Sequence, residues 1–441
     1  MKFIKFIFSI FCLCFLTVGL EAQELPLFLR FERVSKTDYG IKGFDAKNDR
    51  IRHIFVSPDK KKIACFLEDT NYIVALDFSD ALRVFPFYIP VEKSTRSGNT
   101  LSFISIKWNK DRTKRFIAVL NFKGEKIYKG SLDEPNMIKK IKMTFEDPKG
   151  DNYNYVYIGN EIFYISDKRS AICSYPGNRR GSRPGLPNKW ILTGFDISTN
   201  NQKVYYTAWN PADNKDKLYG GRRLRYLSHG NLMVEGNNQQ FYPQISPDGG
   251  FVGFIGMSNK YRSFYHCVLP TNRSGNIPVR SRRKYILEQN ARLREYDHMH
   301  FWNSDVYFFH ANRYHHESLH HHSFDKAGLF RMNARNGEEF LVSLSQLAEA
   351  VCRNYINIKI HESTQRAILE TPRRIGHYET VLIFDAIPLN IQGRKRYGLL
   401  VKAKISEGPA SLIENIEKDF YGLLIVDAGN FNEEEIQNEN D

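Results

Sequence analysis

The 441 residues carry 63 Lys and Arg against 49 Asp and Glu, a formal charge of +14, and 42 % are hydrophobic. That apolar share excludes a wholly disordered chain, because it can build a sizeable core. No P-loop, no GxGxxG between a strand and a helix, and no GxSxG nucleophile elbow occurs, which removes the common nucleotide-binding and serine-hydrolase readings.

The first element in chain order is a targeting segment. Lys2 and Lys5 precede an apolar run from Phe6 to Leu20 that ends in small and polar residues, the pattern of a secretory signal peptide cleaved after Ala22. The run is about 15 residues, short of the roughly 20 that cross a bilayer, and no later stretch comes closer, so no membrane span is expected. Cys12 and Cys14 lie inside the run and follow no small residues of the kind a lipid anchor needs. A periplasmic or secreted location follows, and it turns the positive charge away from nucleic acid. An envelope protein or an anionic polysaccharide is the expected partner.

Beyond residue 22 the apolar runs are four to nine residues long and rich in Tyr, Phe, Ile and Val, which predicts an all-β chain. Ile54–Phe78 reads as approach strand, polar turn, apolar strand, second turn and apolar strand, and Tyr242–Leu269 repeats it. Comparable turns fall near Asp59, Asp111, Asn160, Asn200, Asp248, Ser304 and Thr364, a spacing of about 40 to 60 residues. Seven four-stranded sheets around a channel, a single β-propeller over residues 23–429, account for that period. Either Leu27–Phe44 or Phe420–Gly429 completes the terminal sheet. Two stretches read as helical: a short insertion over 338–355 and Ser411–Phe420. The acidic segment 430–441 reads as a disordered tail. Cys65, Cys173, Cys267 and Cys352 sit in or beside apolar stretches without CxxC spacing, which favours core packing over a disulfide framework.

Two of the turns, Ser57-Pro58-Asp59 and Ser246-Pro247-Asp248, run directly into apolar strands. Pro presets φ, and Asp or Gly accepts the tight backbone after it. These segments resemble the repeat of TolB-like propellers, a PD40 or WD40-like unit. The segments KWNKDRTKRFIAVLNF, FDISTNNQKVYYTAW and FWNSDVYFFH look like copies that lack the Pro. The resemblance implies a periplasmic or secreted propeller and identifies no reaction.

Eight of the 13 histidines fall between His298 and His322. Imidazole ligates Zn and Mn, but the HHESLHHH tract reads as an inter-strand loop. The sharper feature is Asp297-His298-Met299-His300, since residues i and i+2 of a strand face one side and can grip one ion. Glu295, at odd offset, joins only through a bend. The pattern Glu295-x-x-His298-x-His300 resembles the oligogalacturonate lyases, propellers whose manganese ligands include Gln-x-x-His-x-His and a further His. That resemblance implies a Mn or Zn site of Glu295, His298 and His300. Tyr242 stands where the further His is expected, which leaves His229 for that place. Arg222, Arg223 and Arg225 suit the carboxylate of a uronate, yet no imidazole base for β-elimination occurs between His53 and His229.

The sequence therefore predicts an exported TolB-like propeller that binds or scaffolds a protein or anionic glycan. The alternative is a metal-dependent carbohydrate-active enzyme of oligogalacturonate-lyase type.

Overall fold

The structure, a computed structural model, describes residues 27–34, 47–48, 51–67, 72–89, 102–121, 125–142, 155–166, 170–176, 186, 189–199, 203–223, 231–232, 239–247, 249–258, 263–270, 300–302, 305–310, 328–333, 337–343, 354–361, 366–370, 373–374, 377–406 and 418–427. The segment read as a signal peptide, residues 1–22, and the acidic segment 430–441 lie outside the described residues.

Turn chemistry organises each sheet. At Ser57 the backbone N–H donates to Lys62 O (2.8 Å) and the hydroxyl accepts from Lys62 N–H (3.0 Å), closing the hairpin from both sides. Asp59 Oδ1 accepts from the Ser57 hydroxyl (2.5 Å) and from Lys61 N–H (3.2 Å). Ser246 repeats the closure with Phe251, its N–H donating to Phe251 O (2.9 Å) and its Oγ accepting from Phe251 N–H (2.9 Å). Ser198 does the same with Lys203 in a turn that has no Pro. At Asn109 the side-chain oxygen takes over, accepting from Asp111 N–H (3.0 Å) and Arg112 N–H (2.9 Å). The feature common to these turns is a short side-chain acceptor on the first residue, and the Pro is an addition to it.

Strands β1 (Leu27–Val34) and β2 (Lys47–Asn48) precede the first sheet, which is β3 (Ile51–Val56), β4 (Lys62–Leu67), β5 (Tyr72–Asp77) and β6 (Arg83–Tyr88) in that order. The second is β7 (Ser102–Trp108), β8 (Arg115–Asn121), β9 (Glu125–Ser131) and β10 (Ile138–Ile141). The third is β11 (Tyr155–Ile158), β12 (Glu161–Ile165) and β13 (Ile172–Tyr175). The fourth is β14 (Ile191–Ile197), β15 (Lys203–Asn210), β16 (Lys215–Arg223) and β17 (Asn231–Leu232). The fifth is β18 (Gln239–Ile245), β19 (Phe251–Ser258) and β20 (Ser263–Pro270). The sixth is β21 (His300–Trp302), β22 (Asp305–His310), β23 (Gly328–Asn333) and β24 (Gly337–Ser343).

Neighbouring sheets bury both faces of the strands between them. In β4, Ile63, Cys65 and Leu67 join one core cluster while Ala64 and Phe66 join another, so the period-2 alternation is apolar on both sides. In β8, Phe116, Ala118 and Leu120 pack toward the first sheet, and Ile117 and Val119 pack toward the third. Cys65 and Cys173 are buried thiols outside any disulfide, as core packing requires.

The seventh sheet is larger and closes the ring. It contains β25 (Asn354–His361), β26 (Arg366–Leu369), β27 (Arg373–Arg374), β28 (His377–Ile391), β29 (Arg394–Ser406) and β30 (Lys418–Asp427), with β1 and β2. Its order is β26-β25-β1-β30-β29-β28. β28 lies against β21, β22 and β3, and β26 lies against β6, so β28 is innermost and β26 outermost. β1 pairs antiparallel with β30 and parallel with β25. Both candidate closing segments thus enter one sheet, whose face shares a core with the first sheet through Leu29, Phe31, Ile63, Ile358 and Leu423. The order of sheets and the shared axis make the chain an all-β propeller.

Three expectations need correction. Over the 338–355 stretch, β24 ends at Ser343 and β25 starts at Asn354, so the ends are strands; residues 344–353 lie outside the described residues. Cross-strand pairing of β24 with β23 overrides the helix preference of Glu and Leu there. The second helical expectation loses Lys418–Phe420 to β30, and residues 411–417 lie outside the described residues. The turn near Thr364 is also misplaced in the repeat. It joins β25 to β26 on the outside, and the innermost hairpin of the seventh sheet turns at Gln392 (φ 53) and Gly393 (φ 76).

Candidate functional site

The first strand of each of the first six sheets contributes to one cavity of about 260 Å³. Phe55 and Val56 come from β3, Ile106 to Trp108 from β7, Tyr155 to Tyr157 from β11, Phe195 and Asp196 from β14, Tyr242 to Ile245 from β18, and His300 with Phe301 from β21. Residues of the turns after β3, β7, β14 and β18 complete the wall: Pro58, Lys60, Lys110, Ser198, Thr199, Ser246 and Pro247. A pocket on the axis of the ring results, shared by six sheets.

Hydrogen bonds between sheets hold its geometry. Trp108 Nε1 donates to Phe55 O (2.7 Å), which ties the second sheet to the first. Lys110 N–H donates to Tyr157 O (2.9 Å), and Asn109 Nδ2 donates to Gly159 O (2.8 Å), which tie the second to the third. Lys110 Nζ then reaches the fourth sheet, donating to Asp196 Oδ1 (2.5 Å) and Ile197 O (2.8 Å). Asp196 Oδ2 accepts from Ile245 N–H of the fifth sheet (2.7 Å). One buried carboxylate therefore joins three sheets, which suits its role as acceptor for several strong donors.

The charge of the cavity is mainly positive. Among the described residues, Lys60, Lys107 and Lys110 line it against one carboxylate, Asp196, which Lys110 compensates. Lys60 has φ 60, with its N–H donating to Ser57 O (3.0 Å) and its carbonyl accepting from Asn390 N–H of the seventh sheet (2.8 Å). Its residue is 9 % exposed, and burial pulls the amine down to about 7, against a smaller opposing pull from Asp59. Tyr157 is 1 % exposed, and its hydroxyl has no hydrogen-bond partner among the described residues.

Of the residues singled out from sequence, His300 opens β21, is half-buried and lines the cavity. Tyr242 lines it too, at φ 51 in the bulge between Phe241 and Gln244. Arg222 and Arg223 end β16, where they pair in register with Val204 and Lys203. Arg225, His229, Glu295 and His298 lie outside the described residues, as does the HHESLHHH tract. Among the described residues no cluster of three His, Cys, Asp or Glu is placed to hold a metal. The lysines and Tyr157 were not anticipated. Their signal is positional: Lys60 and Lys110 follow inner-strand turns, and Tyr157 sits in the inner strand itself.

No protein-family model matches the chain, and no curated protein matches it. Among solved structures, the crystal structure of TolB from Acinetobacter baumannii is 18 % identical over 52 % of this chain and 53 % of that one, with a TM-score of 0.34. Kuenenia stuttgartiensis hydrazine synthase is 12 % identical over 52 % of this chain and 65 % of that one, with a TM-score of 0.32. The chain thus spans about half of the TolB chain and less than two thirds of the hydrazine synthase chain that it matches. Among the described residues no helix is long and apolar enough to cross a membrane.

Proposed function

We propose that the chain is exported by its first 22 residues and works outside the cytoplasm as a binding or scaffold module for an anionic partner, with an acidic glycan as the favoured class. The supporting observation is the axial cavity, lined among the described residues by three lysines and one carboxylate that one of them neutralises. A rigid ring that presents a cationic pocket attracts and orients anions without needing catalytic groups. Calorimetric titration of the mature chain with polygalacturonate and with a neutral glucan of equal length tests the reading. Binding confined to the polyuronate, and weakened by salt, is the expected result. Equal binding of both polymers, or of neither, refutes it.

His300 on the cavity wall supports a second reading, a metal-dependent enzyme acting on the same polymer. Its ligands would be His300, Glu295, His298 and His229, with Mn or Zn. Metal analysis of the purified chain, together with release of unsaturated uronate followed by absorbance, distinguishes it from simple binding.

A further inference from the structure

We infer that the ring of Tyr242 is the platform on which one sugar unit of the bound glycan rests, and that a strained backbone holds it there. The inference rests on the proposed binding of an acidic glycan and names the residue that recognises the sugar rather than its charge.

Among the described residues, six other than Gly have positive φ. Lys60, Asn136, Lys189, Asn214 and Gln392 lie in turns, whereas Tyr242, at φ 51, lies inside strand β18. A bulky side chain makes that conformation costly, and Gly would adopt it freely. The cause is a bulge in which Tyr242 and Pro243 stand opposite Phe254 alone. Pro243 brings no N–H to the ladder, so the irregularity strands no amide at that position. Bulges re-aim side chains, and strained backbone concentrates where a ligand is held.

The ring stands apart from the cores that its aromatic neighbours on the cavity wall join. Phe55 and Trp108 pack between the first and second sheets, Tyr155 between the second and third, and Phe195 between the third and fourth. Tyr242 belongs to none of these clusters; it is half-buried and lines the cavity. Phe241 braces it, with ring centroids 6.3 Å apart and planes tilted by 42°. Lys60 and Lys107 line the same cavity. A pyranose can lay its C–H bonds on an aromatic face while its carboxylate turns to a cation, so a ring beside lysines suits a uronate better than a bare anion. A cavity of about 260 Å³ is small for a ligand pocket and suits one sugar unit.

Titration with polygalacturonate, alongside urea denaturation, tests the platform in the mature chain and its Tyr242→Gly and Tyr242→Phe variants. Tyr242→Gly should weaken binding about tenfold, the worth of one aromatic contact with its buried area. Its urea midpoint should stay at or above that of the unmodified chain, because Gly releases the strain. Tyr242→Phe keeps the ring and should bind within about twofold of the unmodified chain. Lost affinity with a preserved midpoint separates the platform from a residue that merely packs the fold, whose removal lowers both. Unchanged affinity in Tyr242→Gly overturns the inference, and so does an equal loss in Tyr242→Phe. A lowered midpoint or failure to fold in Tyr242→Gly also overturns it, since the ring then belongs to the core. In those outcomes polygalacturonate binding by the unmodified chain still upholds the wider reading, whereas its absence brings both down.

Discussion

Replacing Asp196 with Ala should destabilise the ring by about 3–5 kcal/mol. The carboxylate accepts from Lys110 Nζ, Ile197 N–H and Ile245 N–H, which belong to the second, fourth and fifth sheets. Its loss strands the buried Ile245 amide, at about 1–3 kcal/mol, and leaves an ammonium whose side chain is 23 % exposed. Lys110 keeps its bond to Ile197 O, which holds the share of the loss due to its charge below that of a fully buried orphan charge. Asp196→Asn should be nearly as harmful, because its NH₂ must aim at one of the groups that are themselves donors. Lys110→Met should cost less, since Asp196 retains both amide donors. Urea denaturation followed by fluorescence measures the three variants. A loss below about 1 kcal/mol for Asp196→Ala would refute the idea that this carboxylate binds the sheets together.

Ring closure and pH provide further tests. A Cβ on Gly422 would lie 2.3 Å from Leu29 O and 2.6 Å from Phe28 Cζ, so Gly422→Ala must push β1 off β30. The expected cost is about 1–3 kcal/mol, with amide exchange protection lost first at Leu27 to Arg30. Gly393→Ala is the control, with open space around it and only the left-handed φ to penalise, at about 1 kcal/mol. If the two variants show the same exchange pattern, β1 does not lock the ring. Burial raises the Asp216 carboxyl from 3.8 to about 6, opposed by the 2.5 Å bond from Thr193. The folded state therefore holds this proton longer than the unfolded chain, and stability should fall by about 3 kcal/mol between pH 4 and 6. Asp216→Asn should remove that slope and be more stable than the unmodified chain at pH 7. Equal slopes for the two proteins would rule out Asp216 as its source.

Much of the architecture was legible because its physical cause is local. Strands buried on both faces leave continuous apolar runs such as Ile63–Leu67, and short acceptors such as Ser57 and Asn109 mark the hairpins. The seventh unit shows the limit of that signal. Turn chemistry near Thr364 announces a hairpin, but it carries no information on whether the hairpin lies at the axis or the rim. The stretch Gly337–Ser343 shows another limit, since its residues favour helix until β23 supplies a partner. At the site, His300 was visible because clustered imidazole is rare. Lys60 was not, because a Lys after Ser-Pro-Asp reads as a solvated turn residue. Only the convergence of six inner strands turns that position inward.

The place of β1 between β30 and β25 has a consequence for how the molecule is made. Leu27 pairs with Ile425, about 400 residues later, and with Asn354 on its other side. Bringing such distant segments together costs roughly 5 kcal/mol of chain entropy before any contact compensates for it. The first six sheets close through neighbouring strands and can form early, but the seventh waits for the last strand. Until then the Leu27–Arg30 half of β1 has the edge that β30 will cover open, a hazard for pairing with another chain. Refolding should therefore be fast for most of the ring and slow for its final latch, and aggregation should compete at that step.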